Sequence, residues 1–312
     1  MRGYQSAKVM AKLEQVKCDL CGSDDPTSII LRQDRFTGDK FQLATCSQCG
    51  LIYLPTRPSA DDLADYYPDD YEAYYLLDDK SNTHDWHLRR ALNLQLKFVE
   101  DLTPAKGKLL DVGCATGNFL YIAQENGWQV LGIEPVQKAA QLARDFYNLE
   151  VITGTLISSE LNPSSFDVIS MWDVLEHLPR PKRAFQKSWE LLKPSGIVFF
   201  SIPNLSSFDR FLFGQYWIGW DVPRHFNLFT NQTVLQLIED SGFELLAKKC
   251  ILGGKGTFLL SLDMVLEQKE LWTGIRRFYP LISALLWPYR QLSYLVNRGP
   301  IITYAVRKRS KD

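Results

Sequence analysis

KLLDVGCATGNFL, residues 108–120, is the stretch whose reading decides the fold. Lys108 to Val112 reads as a short apolar strand. It runs into a turn of small residues, Gly113-Cys114-Ala115-Thr116-Gly117, and the spacing from Asn118 to Glu125 then reads as a helix that stops at Gly127. Strand, glycine turn and helix in that order open a nucleotide-binding α/β unit. Trp128 to Ile133 is a second strand that ends in Glu134, and an acid at that tip can accept both hydroxyls of a ribose.

The turn does not read G-x-G-x-x-G, the spacing that admits a pyrophosphate. It reads D-x-G-x-x-x-G, with Asp111 ahead of the first glycine. An acid there suits a cation better than a phosphate. S-adenosylmethionine has an amino group, a sulfonium and no phosphate, so the motif and the charge argument agree.

Working outward, Val151 to Gly154 is a third strand, and Phe166 to Pro181 (FDVISMWDVLEHLPRP) contains a fourth that ends at Met171 and Trp172. Pro181 to Leu192 is a helix with proline at its first position. Gly196 to Ile202 is a buried strand. Thr230 caps a helix over Asn231 to Ser241, and Gly242 closes it. Phe243 to Ile251 is a sixth strand, and Ile301 to Lys308 is a seventh that returns into the sheet. Alternating strands and helices predict an α/β fold, a doubly wound, seven-stranded and mostly parallel sheet.

LDVGCATGNFL, VLGIEP and FDVISMWDVLEHLPRP together resemble the motifs of the class I S-adenosylmethionine-dependent methyltransferases. The subgroup resembled includes the quinone-pathway and sugar O-methyltransferases, and the likeness covers about residues 105 to 250. It implies roles residue by residue. Glu134 would hold the ribose. Gly113 and Gly117 would give room to the methionine part, with Asp111 near its amino group. Thr155 and Leu156 would flank the adenine, and Met171 and Trp172 would border the cofactor. Family members often carry an acid where this chain has Thr155.

Two C-x-x-C pairs, Cys18/Cys21 and Cys46/Cys49, stand 24 residues apart, each followed directly by a glycine. Four thiolates on tight turns suit a closed, tetrahedral, structural zinc. Ser28 to Arg32, Lys40 to Thr45 and Leu51 to Leu54 read as the strands of a zinc ribbon. Cys114 and Cys250 fall outside the pattern and read as packed thiols. A ribbon in front of such a core resembles a branch associated with sugar and polysaccharide modification.

The domain reading is a zinc ribbon over residues 1–57, a Tyr-rich linker and helix over 58–104, the cofactor-binding core over 105–252 plus 301–312, and a helical insertion over 253–300. In the linker, Tyr66, Tyr67, Tyr71, Tyr74 and Tyr75 read as an interface or a lid, and His84 and His87 flank a helix from Trp86 to Leu102. The insertion contains Leu271 to Val296, which reads as a helical cap on the core or as a basic amphipathic contact with a membrane surface through residues 271–296.

Methyl transfer needs an acceptor held in line with the methyl group, and a base if the acceptor is a hydroxyl. The candidates lie where doubly wound sheets bind ligands, beyond the strand tips. They are Asp173, with Glu176 orienting His177, and His225 within WIGWDVPRHF, residues 217–226. Trp217, Trp220, Asp221 and Arg224 in that segment would suit a sugar or another polar ring. The reading is O-methylation of a small polar or sugar-like acceptor. The alternative is a non-catalytic S-adenosylmethionine-binding scaffold whose ribbon recruits a protein or RNA partner.

Composition sets bounds on this. The 312 residues carry 35 basic and 36 acidic side chains, so no global field favours nucleic acid, and none is expected as a partner. Met1 to Lys17 has no apolar core of a secretory signal. A cytoplasmic location is expected, with peripheral contact at the inner membrane face as an extension of it.

Overall fold

The computed structural model describes residues 12–59, 62–67, 86–103, 105–251, 253, 255–268 and 273–309. Tyr71, Tyr74, Tyr75, His84 and Trp272, and the side chain of His87, lie outside the described residues.

The central sheet has seven strands. In chain order they are β6 (Lys108–Val112), β7 (Gln129–Glu134), β8 (Val151–Thr153), β9 (Phe166–Met171), β10 (Leu192–Pro203), β12 (Phe243–Lys249) and β13 (Ile301–Lys308). Their order across the sheet is β12-β13-β10-β9-β6-β7-β8. The five in the middle and at the β8 edge run parallel, and β13 inserts antiparallel between β10 and β12. Residues of β6, β9 and β10 form nearly continuous buried apolar runs, as expected for parallel strands covered on both faces. This is the doubly wound sheet of the class I methyltransferase fold.

Helices cover both faces: α1 (Trp86–Leu102), α2 (Asn118–Glu125), α3 (Gln137–Tyr147), α4 (Pro181–Leu191) and, after the short α5 (Phe208–Phe213), α6 (Asn231–Asp240). Thr230 caps α6 through a reciprocal capping box with Thr233, which satisfies donors that a helix start otherwise leaves orphaned. From β6 the chain winds one way through β7 and β8, then crosses back to β9 and β10. The switch in direction therefore falls between β6 and β9, and ligands of such sheets bind in the crevice beyond that point.

The N-terminal part contributes β1 (Leu13–Gln15), β2 (Pro26–Gln33), β3 (Lys40–Cys46), β4 (Ile52–Tyr53) and β5 (Thr56–Pro58). The antiparallel sheet of β2, β3 and β4 gains a fourth strand, β11 (Asn227–Leu228), from the far part of the chain. Asp19 accepts a hydrogen bond from the Lys182 backbone amide at 3.0 Å, so the cysteine module caps α4. Phe41, Leu43, Ile52, Leu54 and Tyr66 share one buried cluster with Trp217, Trp220, Phe226 and Phe258.

The insertion holds α7 (Lys255–Gln268), α8 (Tyr279–Leu285) and α9 (Trp287–Leu295). Its inner side packs on the core: Phe258 meets Phe213 edge-on at 4.8 Å, and Ser261 Oγ accepts from the Ile218 amide at 3.1 Å. Leu281, Leu285, Trp287, Leu292 and Leu295 remain exposed, Leu295 by 82%. Among the described residues no helix is long and apolar enough to cross a membrane.

Candidate active site

Asp111, one residue before the end of β6, and Glu134, the last residue of β7, lie on adjacent strands, and both are buried. Ser170 on β9 donates its hydroxyl to Asp111 Oδ1 at 2.6 Å, across the switch point. Glu134 Oε2 accepts the Ala115 amide at 2.9 Å, and Oε1 accepts the Val136 amide at 2.9 Å. The glycine turn thus folds over one oxygen of the acid, and the start of the next crossover holds the other. Ala115 reaches this position at φ +48°, between Gly113 at +70° and Gly117 at +81°, a region that glycine enters without steric cost.

The space that the two glycines leave is filled from inside the protein. A Cβ on Gly113 would come within 2.7 Å of Val174, and one on Gly117 within 2.5 Å of Leu149. The glycines here set the path of the turn and its packing on neighbouring elements.

Burial pushes the Asp111 carboxyl up to about 7, with the Ser170 bond opposing and the Glu134 charge adding. Burial also raises Glu134, against the pull of its two amides. Among the described residues no arginine or lysine pairs with either acid. Two buried carboxylates without a cation fit a positively charged ligand, and S-adenosylmethionine has that charge.

Thr155 and Leu156 follow β8. Thr155 closes a small turn with Ser158, its hydroxyl 2.9 Å from the Ser158 hydroxyl, and Leu156 is buried. Met171 is sealed in the core, which leaves only its backbone for a cofactor. Trp172 packs edge-on against Phe119 at 5.2 Å.

Asp173 sits just past β9 in a positive-φ conformation (+54°). Its backbone amide donates to Ser201 Oγ, and that hydroxyl donates to its carboxylate at 2.7 Å. The residue is exposed to solvent. Glu176 is fully buried and raised well above the usual carboxylate range, by burial and then by Asp173. His177 and His225 lie edge to face with ring centroids 4.7 Å apart. Burial, and then His225, push the His177 imidazole down to about 3. His225 is lowered as well, by burial first.

The tryptophan segment is a packing loop and does not form a sugar platform. Trp217 and Trp220 are buried and meet edge-on at 5.6 Å. Arg224 is fully buried, with one guanidinium nitrogen 2.7 Å from both Asp34 and Asp221. Burial would push Asp221 up, but the Arg224 charge overrides it and holds Asp221 well below the usual range. Of the five polar and aromatic residues expected to face a ligand, only His225 stands beside another candidate. Tyr67, from the tyrosine cluster read as an interface or a lid, places its hydroxyl 3.2 Å from His177 Nδ1; Ser170 and Ser201 gave no signal in the sequence, because a lone serine shows its partner only once strands are placed side by side.

The four cysteines of the ribbon converge. Cys18 and Cys49 sulfurs are 3.5 Å apart, as are Cys21 and Cys46, and all four lie within 4.8 Å of one another. Tetrahedral zinc at the usual Zn–S length sets sulfurs about 3.8 Å apart, so the cluster fits that ion. Cys114 and Cys250 are buried and lie apart from it.

A family model described as a methyltransferase domain matches residues 84–248. The chain belongs to the methyltransferase-domain family. Among curated relatives, the ubiquinone biosynthesis O-methyltransferase of Albidiferax ferrireducens is 36% identical over 122 residues, covering 36% of this chain and 48% of the relative. That of Idiomarina loihiensis is 31% identical over 147 residues, covering 42% and 58%. The chain thus spans about half the length of the curated relatives it matches. Among solved structures, a protein from Pyrococcus horikoshii aligns with TM-score 0.52 at 14% identity, over 78% of this chain and all of that one. The geranyl diphosphate C-methyltransferase of Streptomyces coelicolor A3(2) aligns with TM-score 0.50 at 15% identity, over 80% and 97%. At these identities the structures share the fold of this family member.

Proposed function

We propose that this protein transfers the methyl group of S-adenosylmethionine to a hydroxyl oxygen of a small acceptor. One observation carries the reading: Asp111 and Glu134, buried at neighbouring strand tips beside the switch point, have no cation among the described residues. Glu134 takes the ribose hydroxyls, and Asp111 faces the methionine amino group. Gly113 and Gly117 shape the turn, Thr155 and Leu156 flank the adenine, and the backbone of Met171 with Trp172 borders the donor.

The bound donor supplies an electrophilic methyl group on a sulfonium. The protein's part is alignment and proton removal. Asp173 is the favoured proton acceptor among the three candidates, because it lies exposed just past the tip of β9, where an acceptor hydroxyl can reach it. Burial makes His177 and His225 weak bases. Relatives named for ubiquinone biosynthesis favour a quinone-precursor hydroxyl over a sugar, and so does the burial of Trp217 and Trp220. Zinc on Cys18, Cys21, Cys46 and Cys49 is proposed as structural, since four thiolates leave no position for a substrate. The outer face of residues 273–295 is assigned to contact with anionic lipid, on its exposed apolar row flanked by Arg277.

The test is calorimetry with S-adenosylmethionine, followed by incubation of methyl-labelled donor with hydroxylated aromatic acids and with sugar nucleotides. Donor binding with label in the aromatic products supports the reading. Absence of donor binding rejects it, and label in the sugars alone reverses the acceptor assignment.

A further inference from the structure

A second cluster of ligand-type side chains lies beyond the tip of β9. Glu176 and His177 come from the 3-10 turn Leu175–His177, and His225 comes from the loop ahead of β11. One nitrogen of each ring and one oxygen of Glu176 lie within 4.8 Å of one another.

The hydrogen bonds fix the state of both rings. His177 Nδ1 is 3.0 Å from the Arg224 carbonyl, and His225 Nδ1 is 2.9 Å from the Gly219 carbonyl. A carbonyl oxygen only accepts, so each Nδ1 carries the proton and each Nε2 carries a lone pair. A backbone carbonyl on Nδ1 is the usual outer support of a histidine that binds metal through Nε2.

The third member is Glu176. It is 1% exposed, and its Oε2 is buried without a hydrogen-bond partner among the described residues. A buried carboxyl oxygen left without a partner is costly whether or not the group is ionised, and a bound metal ion would pair it. The local charges agree. Asp34 and Asp221 are taken up by Arg224, and Arg35 lies 3.4 Å from Asp221. Among the described residues those pairings leave no arginine or lysine on Glu176.

We propose that Glu176, His177 and His225 bind a divalent transition-metal ion such as zinc, at a site separate from the four cysteines. Two imidazoles and a carboxylate are a ligand set for zinc or ferrous iron that keeps at least one position open. Ligands at about 2.1 Å from a tetrahedral ion stand about 3.4 Å apart, so the three groups, all within 4.8 Å of one another, close in by at most about 1.4 Å on binding. The open position, next to Asp173, suits an acceptor oxygen. That last role rests on the methyl-transfer reading; the metal site itself does not.

The experiment is a titration of the full-length protein, its cysteines already loaded with zinc, with Co2+ followed by visible absorption. Wild type is expected to develop d–d bands of a nitrogen–oxygen site without thiolate charge transfer. Glu176→Gln and His225→Gln are each expected to lose these bands while S-adenosylmethionine affinity and near-ultraviolet circular dichroism stay unchanged. Absence of such bands in wild type overturns the proposal, as do bands that carry thiolate charge transfer only, or bands that persist in both variants. If His225→Gln does not fold, Glu176→Gln decides alone. Donor affinity, read in the same samples, separates failure of the metal site from failure of the methyl-transfer reading.

Discussion

The Ala115 amide donates to Glu134 Oε2 at 2.9 Å, so the glycine turn is tied to the acid of the next strand before any ligand arrives. With Val136 on the other oxygen, the carboxylate is fixed in orientation and its remaining lone pairs are free for two hydroxyls. Glu134→Ala is expected to weaken S-adenosylmethionine binding by at least about 100-fold, from two charge-assisted hydrogen bonds at roughly 1.5–3 kcal/mol each. Glu134→Gln should fall between. Calorimetry measures both.

Asp111 predicts a pH dependence. Its folded pKa is raised from 3.8 to about 7. A raised value means the neutral form is favoured by folding, so this contribution to the empty protein's stability is complete below pH 4 and lost as pH rises through about 7. A cationic ligand needs the carboxylate. Donor binding should therefore tighten as pH rises toward 7, level off above it, and release up to one proton at lower pH. Asp111→Asn should abolish this dependence. Titrations in buffers of different ionisation enthalpy count the proton.

Arg224 bridges Asp34, 190 positions away, to Asp221. Removing one partner from a buried network leaves uncompensated charge, which costs about 3–5 kcal/mol. Arg224→Ala is expected to lower stability by that amount in urea denaturation.

The cysteine cluster predicts one tightly held zinc per chain. Cys46→Ser should lose it, open the 26–46 hairpin to protease, and lower the thermal midpoint by more than about 5 °C. Elemental analysis and limited proteolysis check this. A variant that keeps its zinc would remove the structural role from these thiols.

The outer face of the insertion predicts co-sedimentation with anionic vesicles. Leu285 and Leu295 are 71% and 82% exposed. Replacing both with aspartate should reduce the bound fraction severalfold without changing donor affinity. Wild type that stays in the supernatant dismisses lipid contact.

The chain order alone determined the sheet, because its signals are local. The strand Lys108–Val112, the helix Asn118–Glu125 and the last strand Ile301–Lys308 match the sequence reading residue for residue. Their markers (apolar runs, a glycine turn, a cap) sit beside the residues they govern. The C-x-x-C pairs were legible for the same reason, since each pair forms on its own turn. Beginning β10 at Leu192, four residues ahead of the expected Gly196, required its partner: Leu192 pairs with Phe166 before a break in register. Asp34 meeting Arg224, Ser170 meeting Asp111, and Glu176 and His177 meeting His225 were decided only in three dimensions. Spacing along a chain records which face a residue takes within its own helix or strand. It does not record what a distant loop brings opposite, and the burial that silences Trp217 and Trp220 while shifting Asp111 and His177 exists only once those loops have packed.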